Sequence, residues 1–246
     1  MITSEDKKAI LHFLNTADSC ISGYPSPYAA LENTWNFDGE QTNATIKETA
    51  SEKLHSGITI DHLNEKIAQC TRCPLAKTRS LTVPGEGINK PLVMVIGEGP
   101  GADEDASGRP FVGKAGQLLD KMLIAIDLSR NTNTYIANIV KCRPPQNRDP
   151  LPEEAQACRS FLDLQIQLLK PKMILAIGRV SAQNLLGCKE SIGNLRGKFF
   201  EYKDIPLMPT YHPSALLRDE SLKRPAWEDL KVFRTKLNEI LSTEGT

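Results

Sequence analysis

The chain has 246 residues, of which 40% are apolar and 24% charged, and it holds 30 basic and 30 acidic side chains. It contains no apolar run of the roughly 18 residues that a membrane-spanning helix needs, and residues 1–10 lack the pattern of a secretory signal. We therefore expect a cytoplasmic, globular protein with no membrane partner. Six cysteines in such a chain favour metal, redox or core roles over a disulfide framework.

The first 57 residues differ in composition from the rest of the chain. Residues 1–60 hold 4 basic and 8 acidic side chains, so the remainder has a mild positive excess that is compatible with nucleic acid. Apolar spacing predicts a short helix over 5–15, and the Ser-, Thr-, Asn-, Gly- and Pro-rich stretch 18–57 is typical of a linker. We expect residues 1–57 to be a largely disordered extension, open to an unidentified partner, and residues 58–246 to be the folded domain.

Four short apolar runs in the domain, each bounded by turn residues, predict β-strands that are buried on both faces. They are 91–97, 134–140, 172–178 and 205–211. Amphipathic segments between and after them predict helices. These helices span 114–126, 152–169, 179–186 and 227–241. Strands that alternate with helices indicate an α/β fold with a mainly parallel sheet.

Unusual sequences follow three of the four predicted strands. They are "GEGPGADEDASGRPFVG" at 97–113, "NIVKCRPPQNR" at 138–148 and "YHPSALLR" at 211–218. In an open parallel sheet, ligands bind in the crevice beyond the carboxyl ends of the strands. We therefore expect the three stretches to meet at one edge of the sheet and to form a single active site.

The stretch "GEGPG" predicts a tight turn without side-chain bulk. Gly97, Gly99 and Gly101 would let main-chain amides approach a small planar or anionic ligand. The pattern is neither a P-loop nor a dinucleotide-binding motif. Glu98 lies between two of these glycines at the end of the predicted strand, which favours a role in the site over that of a solvated turn carboxylate.

Three further side chains are candidates for this site. Asn138 lies in an apolar strand, where its amide either makes structural hydrogen bonds or reads the polar edge of a base. Phe111 lies in a loop with Gly, Arg and Pro, either as a core anchor or as a stacking platform for a flat ligand. His212 precedes a Pro-Ser step at a strand end, a setting that favours catalysis more than a lone histidine does.

The cysteines form a second pattern. Cys70 and Cys73 make a C-x2-C pair, Cys142 follows the second apolar run, and Cys158 lies near the start of the predicted helix 152–169. One pair and two distant cysteines supply the four thiolates that zinc and a 4Fe–4S cluster both accept. Spacing alone therefore does not decide between a zinc ion and a cluster. The other two cysteines lack such partners and are interpreted as ordinary thiols: Cys20 and Cys188.

Four stretches together resemble the family 4 uracil-DNA glycosylases, the iron–sulfur members of their superfamily. They are "GEGPGADEDASGRPFVGKAGQLLDKML", "YIANIVKCRPPQNRDPLPEEAQAC", "LAIGRVSAQNLLG" and "PTYHPSALLR". The resemblance implies a three-layer α/β/α sandwich around a four-stranded, mainly parallel sheet. It also implies a monofunctional hydrolase of base excision repair, which flips uracil out of DNA and cuts its N-glycosidic bond, leaving an abasic site. A structural 4Fe–4S cluster is implied on Cys70, Cys73, Cys142 and Cys158.

The resemblance also implies roles in the site. Phe111 stacks on the flipped uracil, while Asn138 hydrogen-bonds its polar edge and helps to reject cytosine. His212 donates to the uracil oxygen on which charge develops, together with main-chain amides of residues 97–101. Glu98 orients or activates the attacking water and stabilises the cationic sugar. The residues expected at the base are thus Gly97, Glu98, Gly99, Phe111, Asn138 and His212.

Candidate contacts to the rest of the DNA follow from the same motifs. Leu216, in "HPSALLR", is the expected wedge that fills the vacated stack. Four basic side chains are expected to contact phosphates. They are Lys141, Arg143, Arg148 and Arg218. Some relatives carry a histidine after the second motif that traps DNA covalently, and "CRPPQNRDPL" has none, so we expect ordinary turnover.

Two other functions remain open at this point. A non-catalytic nucleic-acid-binding module could keep this fold, although the presence of Glu98, Asn138 and His212 favours an enzyme. A zinc-dependent nucleotide hydrolase would need an open coordination position, which four thiolates do not leave. The expected substrate is uracil in double- or single-stranded DNA, and the expected protein is a monomer in a bacterial cytosol or nucleoid.

Overall fold

A computed structural model of the protein describes residues 59–244, and these residues build a six-stranded sheet. The strands are β1 (Glu86–Gly87), β2 (Val93–Gly97), β3 (Thr134–Asn138), β4 (Met173–Ile177), β5 (Phe200–Tyr202) and β6 (Ile205–Thr210). Their order is β1-β3-β2-β4-β6-β5. The four central strands run parallel, and the two short outer strands pair antiparallel with β3 and β6.

Eight helices accompany the sheet in the described part of the chain. They are α1 (Ile60–Ala68), α2 (Ala102–Ser107), α3 (Lys114–Ile124), α4 (Pro152–Leu169), α5 (Arg179–Leu186), α6 (Ile192–Leu195), α7 (Pro213–Arg218) and α8 (Lys223–Glu244). Among the helices of residues 59–244, none is both long and apolar enough to cross a lipid bilayer.

Helices cover both faces of the sheet, which explains why its strands read as unbroken apolar runs. Successive side chains of β2 enter two separate cores: Met94 and Ile96 lie in one, Val93 and Val95 in the other. The first core contains apolar residues of α1, α4 and α5, and the second contains those of α3 and α8. The structure is therefore the three-layer α/β/α sandwich that the sequence predicted.

The structure differs from the predicted fold at the edges of the sheet. The predicted four-stranded sheet is present as the parallel centre, but β1 and β5 extend it on either side. These strands have two and three residues, too few for an alternating pattern to be read from sequence. The predicted helix over 5–15, the extension 1–57 and Cys20 lie outside the described residues.

The parallel centre brings the expected loops to one edge. The carboxyl ends of β2, β3 and β6 lead into residues 98–101, 139–151 and 211–212 respectively. The strands are in register, so that Gly97 pairs with Asn138, the last residue of β3. The convergence predicted from the sequence is confirmed, and it fixes the place of the site.

Candidate active site and cysteine cavity

The candidate active site at the carboxyl edge, where we expect the base pocket, is built around Gly97. A Cβ atom at this position would lie 2.5 Å from Asn138 Oδ1 and 2.6 Å from Phe111 Cζ, closer than real Cβ contacts come. The glycine therefore lets the amide and the ring approach the end of β2. The ring of Phe111 in turn lies 5.7 Å from that of His212, centroid to centroid, at an interplanar angle of 39°. Four predicted site residues thus come together.

Asn138 presents an unused acceptor to this pocket. Its side chain is 1% exposed, and its Oδ1 atom has no hydrogen-bond partner within the described structure. A buried acceptor left unpaired costs about 1–3 kcal/mol, so such atoms are rare in native proteins. The arrangement fits a ligand whose N–H group donates to Oδ1.

His212 is held in one neutral form. It is the N-cap of α7, and its Nδ1 atom accepts a hydrogen bond of 3.1 Å from the main-chain N–H of Ser214. The pKa of His212 is lowered to about 4, first by burial and then by the positive charge of Arg218, against the opposing negative charge of Glu104. Because Nδ1 is an acceptor, the proton of the neutral ring lies on Nε2, which is then a donor.

Glu98 lies directly after β2. The pKa of its carboxyl group is raised to about 7, first by burial and then by the negative charge of Asp149, against the opposing guanidinium of Arg179. Asp149 and Arg179 form an ion pair with each other. The main chain of Glu98 is fixed, since its carbonyl accepts from the N–H of Val140 at 3.1 Å. A carboxyl group with a pKa near neutrality beside a pocket is suited to acid–base chemistry.

Glu104 organises the loops around the pocket, although nothing in the acidic stretch "ADEDAS" singles it out. Its Oε1 atom accepts from the main-chain N–H groups of Val112 (2.9 Å) and Gly113 (3.1 Å), and Oε2 accepts from that of Gly101 (3.1 Å). The carboxylate thus joins the "GEGPG" turn to the loop that carries Phe111. The prediction that amides of 97–101 serve the ligand is wrong for Gly101, whose N–H is engaged here.

Two predicted phosphate contacts make hydrogen bonds within the protein, and one of them, Lys141, is wrong because it is buried. Lys141 is 1% exposed, and its Nζ atom donates to the main-chain oxygen of Asn138 (2.8 Å) and to Gln165 Oε1 (2.6 Å). Arg148 forms two hydrogen bonds, of 2.8 and 2.7 Å, with the carboxylate of Glu154, which is itself buried. The burial of Lys141 could not be read from its charge in the sequence, whereas the side chain of Arg148 stays 38% exposed and its contact with phosphate remains a prediction.

The predicted wedge is also misplaced. Leu216 is 2% exposed and belongs to the core between the sheet, α3 and α8. The next residue, Leu217, is 49% exposed and is the apolar side chain that α7 presents to solvent. Of the remaining phosphate candidates, Arg218 is exposed, whereas Arg143 is half-buried and donates to Asn147 Oδ1 at 2.7 Å.

A second site lies at the cysteines. Cys70, Cys73, Cys142 and Cys158 line one cavity; the first two are half-buried and the last two buried. Arg79 Nη1 donates to the Sγ atom of Cys142 at 3.0 Å. Burial raises the pKa of the Cys142 thiol to about 11, while the Arg79 guanidinium favours the thiolate. The lining thus contains four sulfur ligands and basic side chains that favour their charged form.

The four cysteines are not placed as a ready-made site for one metal ion. Within residues 59–244, no three His, Cys, Asp or Glu side chains are placed to hold a single metal ion. A single zinc ion needs its ligands on one centre, whereas a cluster binds each thiolate through a different iron. The four thiols line one cavity and are the candidate ligands of a metal group there. Cys188 is not part of the lining.

Known proteins resemble this chain in sequence over most of the described region. The model of the uracil DNA glycosylase superfamily matches residues 84–231. The type-4 uracil-DNA glycosylase of Pyrobaculum aerophilum is 44% identical over 182 residues, which cover 71% of this chain and 92% of that protein. The type-4 enzymes of Sulfurisphaera tokodaii (40%; 72% and 84% covered) and Saccharolobus solfataricus (41%; 75% and 88% covered) are also similar.

Proposed function

This chain belongs to the type-4 members of the uracil DNA glycosylase superfamily, and we propose that the pocket around Gly97 excises uracil from DNA. The enzyme is a uracil-DNA glycosylase, a hydrolase of DNA repair. The observation that carries the assignment of the pocket is the unpartnered Oδ1 atom of buried Asn138, beside the Phe111 ring. A flat base that offers an N–H group matches both the free acceptor of Asn138 and the ring of Phe111.

Asn138 is the group that we assign to base recognition. Uracil carries an N–H donor between two carbonyl oxygens, so Oδ1 of Asn138 accepts from N3–H while its NH2 group donates to an adjacent oxygen. Cytosine has an acceptor at N3 and a donor at position four. It would leave the buried amide mispaired, and sites of this kind reject such analogues strongly.

Entry of the base requires that it leave the duplex. Stacking inside DNA makes the glycosidic bond inaccessible, so the nucleotide is extruded into the pocket at a cost of a few kcal/mol. Phe111, 7% exposed and facing Gly97, offers a ring on which the flipped base stacks. Leu217, which is exposed on α7, is the side chain that we assign to the vacated stack.

Bond cleavage places opposite charges on the two fragments. The electron pair of the C1′–N1 bond leaves with uracil, and the sugar becomes an oxocarbenium-like cation. The Nε2–H group of neutral His212 donates to the uracil oxygen as negative charge grows there. The carboxylate of Glu98 stabilises the sugar cation and accepts a proton from the water that attacks C1′. The products are uracil and an abasic site.

We further propose that the four cysteines hold a 4Fe–4S cluster. When bound, it supplies a structural crosslink between the C-x2-C segment after α1, the segment that leaves β3, and α4. The support is the set of four thiols around one cavity and the arginine that donates to Cys142.

Iron analysis of purified protein tests the cluster assignment. Cys158→Ala should lower the iron content and the thermal stability, whereas Cys188→Ala, outside the cavity, should leave both unchanged. Zinc in place of iron, with no visible absorbance, would overturn the assignment because zinc has no such transitions. Full iron occupancy in Cys158→Ala would show that another residue is the fourth ligand.

A duplex with a single uracil tests the function. The wild-type protein should release uracil and leave alkali-sensitive sites, and the Glu98→Ala and His212→Ala variants should retain the fold and lose most of the excision. A wild-type protein that binds the uracil-containing strand but produces no abasic sites would instead be the non-catalytic binding module.

A further inference from the structure

We propose that Arg130 is a positioning residue for base stacking, acting through Phe111. The inference rests on the proposed function, since it concerns how the stacking ring is held. Arg130 lies between α3 and β3, and its side chain is buried under the loop that carries Phe111. No feature of "LSRNTNTY" points to this role, which depends on the loop above it.

The guanidinium of Arg130 holds two consecutive carbonyl groups of that loop. Its Nη1 atom donates to the oxygen of Pro110 and its Nη2 atom to the oxygen of Phe111, each at 2.9 Å. Its other donors face Asp120, with hydrogen bonds of 3.0 Å from Nε and 2.8 Å from Nη2 to Oδ1. A carboxylate oxygen of Glu86 lies 3.8 Å from Nη1. The planar fork of arginine suits this multiple contact, and lysine cannot reproduce it.

The loop needs such support because its backbone is strained. Phe111 has a φ angle of +54°, in the left-handed region that bulky residues rarely adopt. Such a conformation persists only where its surroundings enforce it. Behind the loop, a Cβ atom at Gly116 would lie 1.9 Å from the carbonyl oxygen of Phe111, so α3 packs directly against the strained peptide. Arg130 and Gly116 together fix the peptide from two sides.

The strained conformation determines where the ring points. In this backbone state the Phe111 ring faces Gly97 and lies 5.7 Å from the His212 ring. Release of the two carbonyl groups would let φ return to the ordinary negative region and would turn the side chain away from the base. Arg130 thus acts on stacking without touching the substrate.

A double-mutant cycle tests this coupling. Single-turnover excision is measured for wild type, Arg130→Lys, Phe111→Ala and the double variant. Arg130→Lys should lower the single-turnover rate constant about tenfold by itself but less than about twofold when Phe111 is already alanine, because coupled residues are not additive. Free uracil should inhibit Arg130→Lys about tenfold more weakly than wild type, a base-pocket readout that a general loss of stability would not give.

Controls separate the possible outcomes. Arg159→Lys removes a similar clamp, on Tyr202 Oη and the carbonyl of Asn184, and should leave excision unchanged. If Arg130→Lys does not fold, Asp120→Ala offers a milder loosening with the same expected non-additivity. Multiplicative losses in the cycle would overturn the inference while the proposed function stands. Absence of excision by wild type would instead overturn the proposed function.

Discussion

Glu98 and His212 show how burial, as the largest cause of both pKa shifts, prepares two groups for different roles. Burial disfavours a charge on either side chain, so it raises the pKa of Glu98 to about 7 and lowers that of His212 to about 4. At neutral pH the imidazole is therefore an uncharged donor, and the carboxyl group is close to its own titration point. Two residues with such separated states supply a donor and a base in one pocket.

The pH dependence of excision follows from these pKa values. Glu98 acts as a carboxylate, so single-turnover excision should rise with pH through about 7 and then level off. His212 stays neutral over that range because it titrates near 4. The Glu98→Gln variant should be slow and should lack the rise near pH 7. A rise that persists in this variant would assign the titration to another group.

Sequence reasoning located the site residues whose roles follow from strand ends. Gly97, Asn138 and His212 could be predicted because a parallel sheet brings its carboxyl ends together whatever the details of packing. Lys141 and Leu216 could not be placed correctly, since their environment depends on which face of the chain meets the core. The same limit hid Arg130, whose partners are main-chain carbonyl groups.

At the level of elements, the short helix α2 connects two loops of the site although it has only six residues. Its Glu104 carboxylate accepts hydrogen bonds from three main-chain N–H groups in two loops. Hydrogen bonds to a charged group are about twice as strong as neutral ones. The helix therefore ties the "GEGPG" turn to the Phe111 loop.

The Glu104→Gln variant should weaken the connection between these two loops. A neutral amide keeps the size of the side chain but weakens the hydrogen bonds, which should lower the free energy of unfolding by about 1–3 kcal/mol. Excision should fall at the same time, because both loops border the pocket. Chemical denaturation and single-turnover assays check this, with exposed Glu153→Gln as the matched control. Unchanged excision would mean that the tie is only structural.

Helix α7 carries two adjacent leucines with opposite surroundings. Leu216→Ala should lower the free energy of unfolding by about 2–5 kcal/mol, as expected for a buried leucine. Leu217→Ala should change stability by less than about 0.5 kcal/mol, since the side chain is exposed. If Leu217 fills the vacated stack, its removal should slow excision from duplex DNA more than from single strands. Equal slowing on both would argue against a wedge.

The elements that sequence predicted are those with long apolar patterns. Helix α4 begins and ends as expected over Pro152–Leu169, and the four central strands match within two residues at each end. Helix α2 escaped prediction because "ADEDAS" has no apolar face, and its Glu104 instead binds main-chain N–H groups of the neighbouring loops. Helix α1 was not predicted, although Ile60, Leu63 and Ile67 follow helical spacing and are all buried.

At the scale of the whole molecule, a chain with no net charge must present basic residues locally to bind DNA. Arg218 and Arg179 are exposed near the carboxyl edge, whereas Lys141 and Arg148 are engaged within the protein. The number of basic residues in the sequence therefore overstates the number that meets phosphate. Affinity should depend on a few contacts and decrease with salt.

Salt titration of DNA binding distinguishes the exposed basic side chains from those engaged within the protein. Arg218→Ala should reduce the slope of log affinity against log salt by about 1, the effect of one lost phosphate contact. Arg148→Ala should leave the slope unchanged and lower the free energy of unfolding instead, because it leaves the buried carboxylate of Glu154 without its partner. A reduced slope for Arg148→Ala would return it to the DNA interface.

The pairing of Gly97 with Asn138 has a consequence for insertions and deletions. Side chains alternate between the two faces of a strand. A shift of one residue in β3 would therefore turn Asn138 to the opposite face. A shift of one residue in β2 would replace Gly97 with a residue whose side chain has no room there. Surface loops of the same enzyme tolerate length changes far better. Homologous strands should therefore vary in residue identity while their length stays constant.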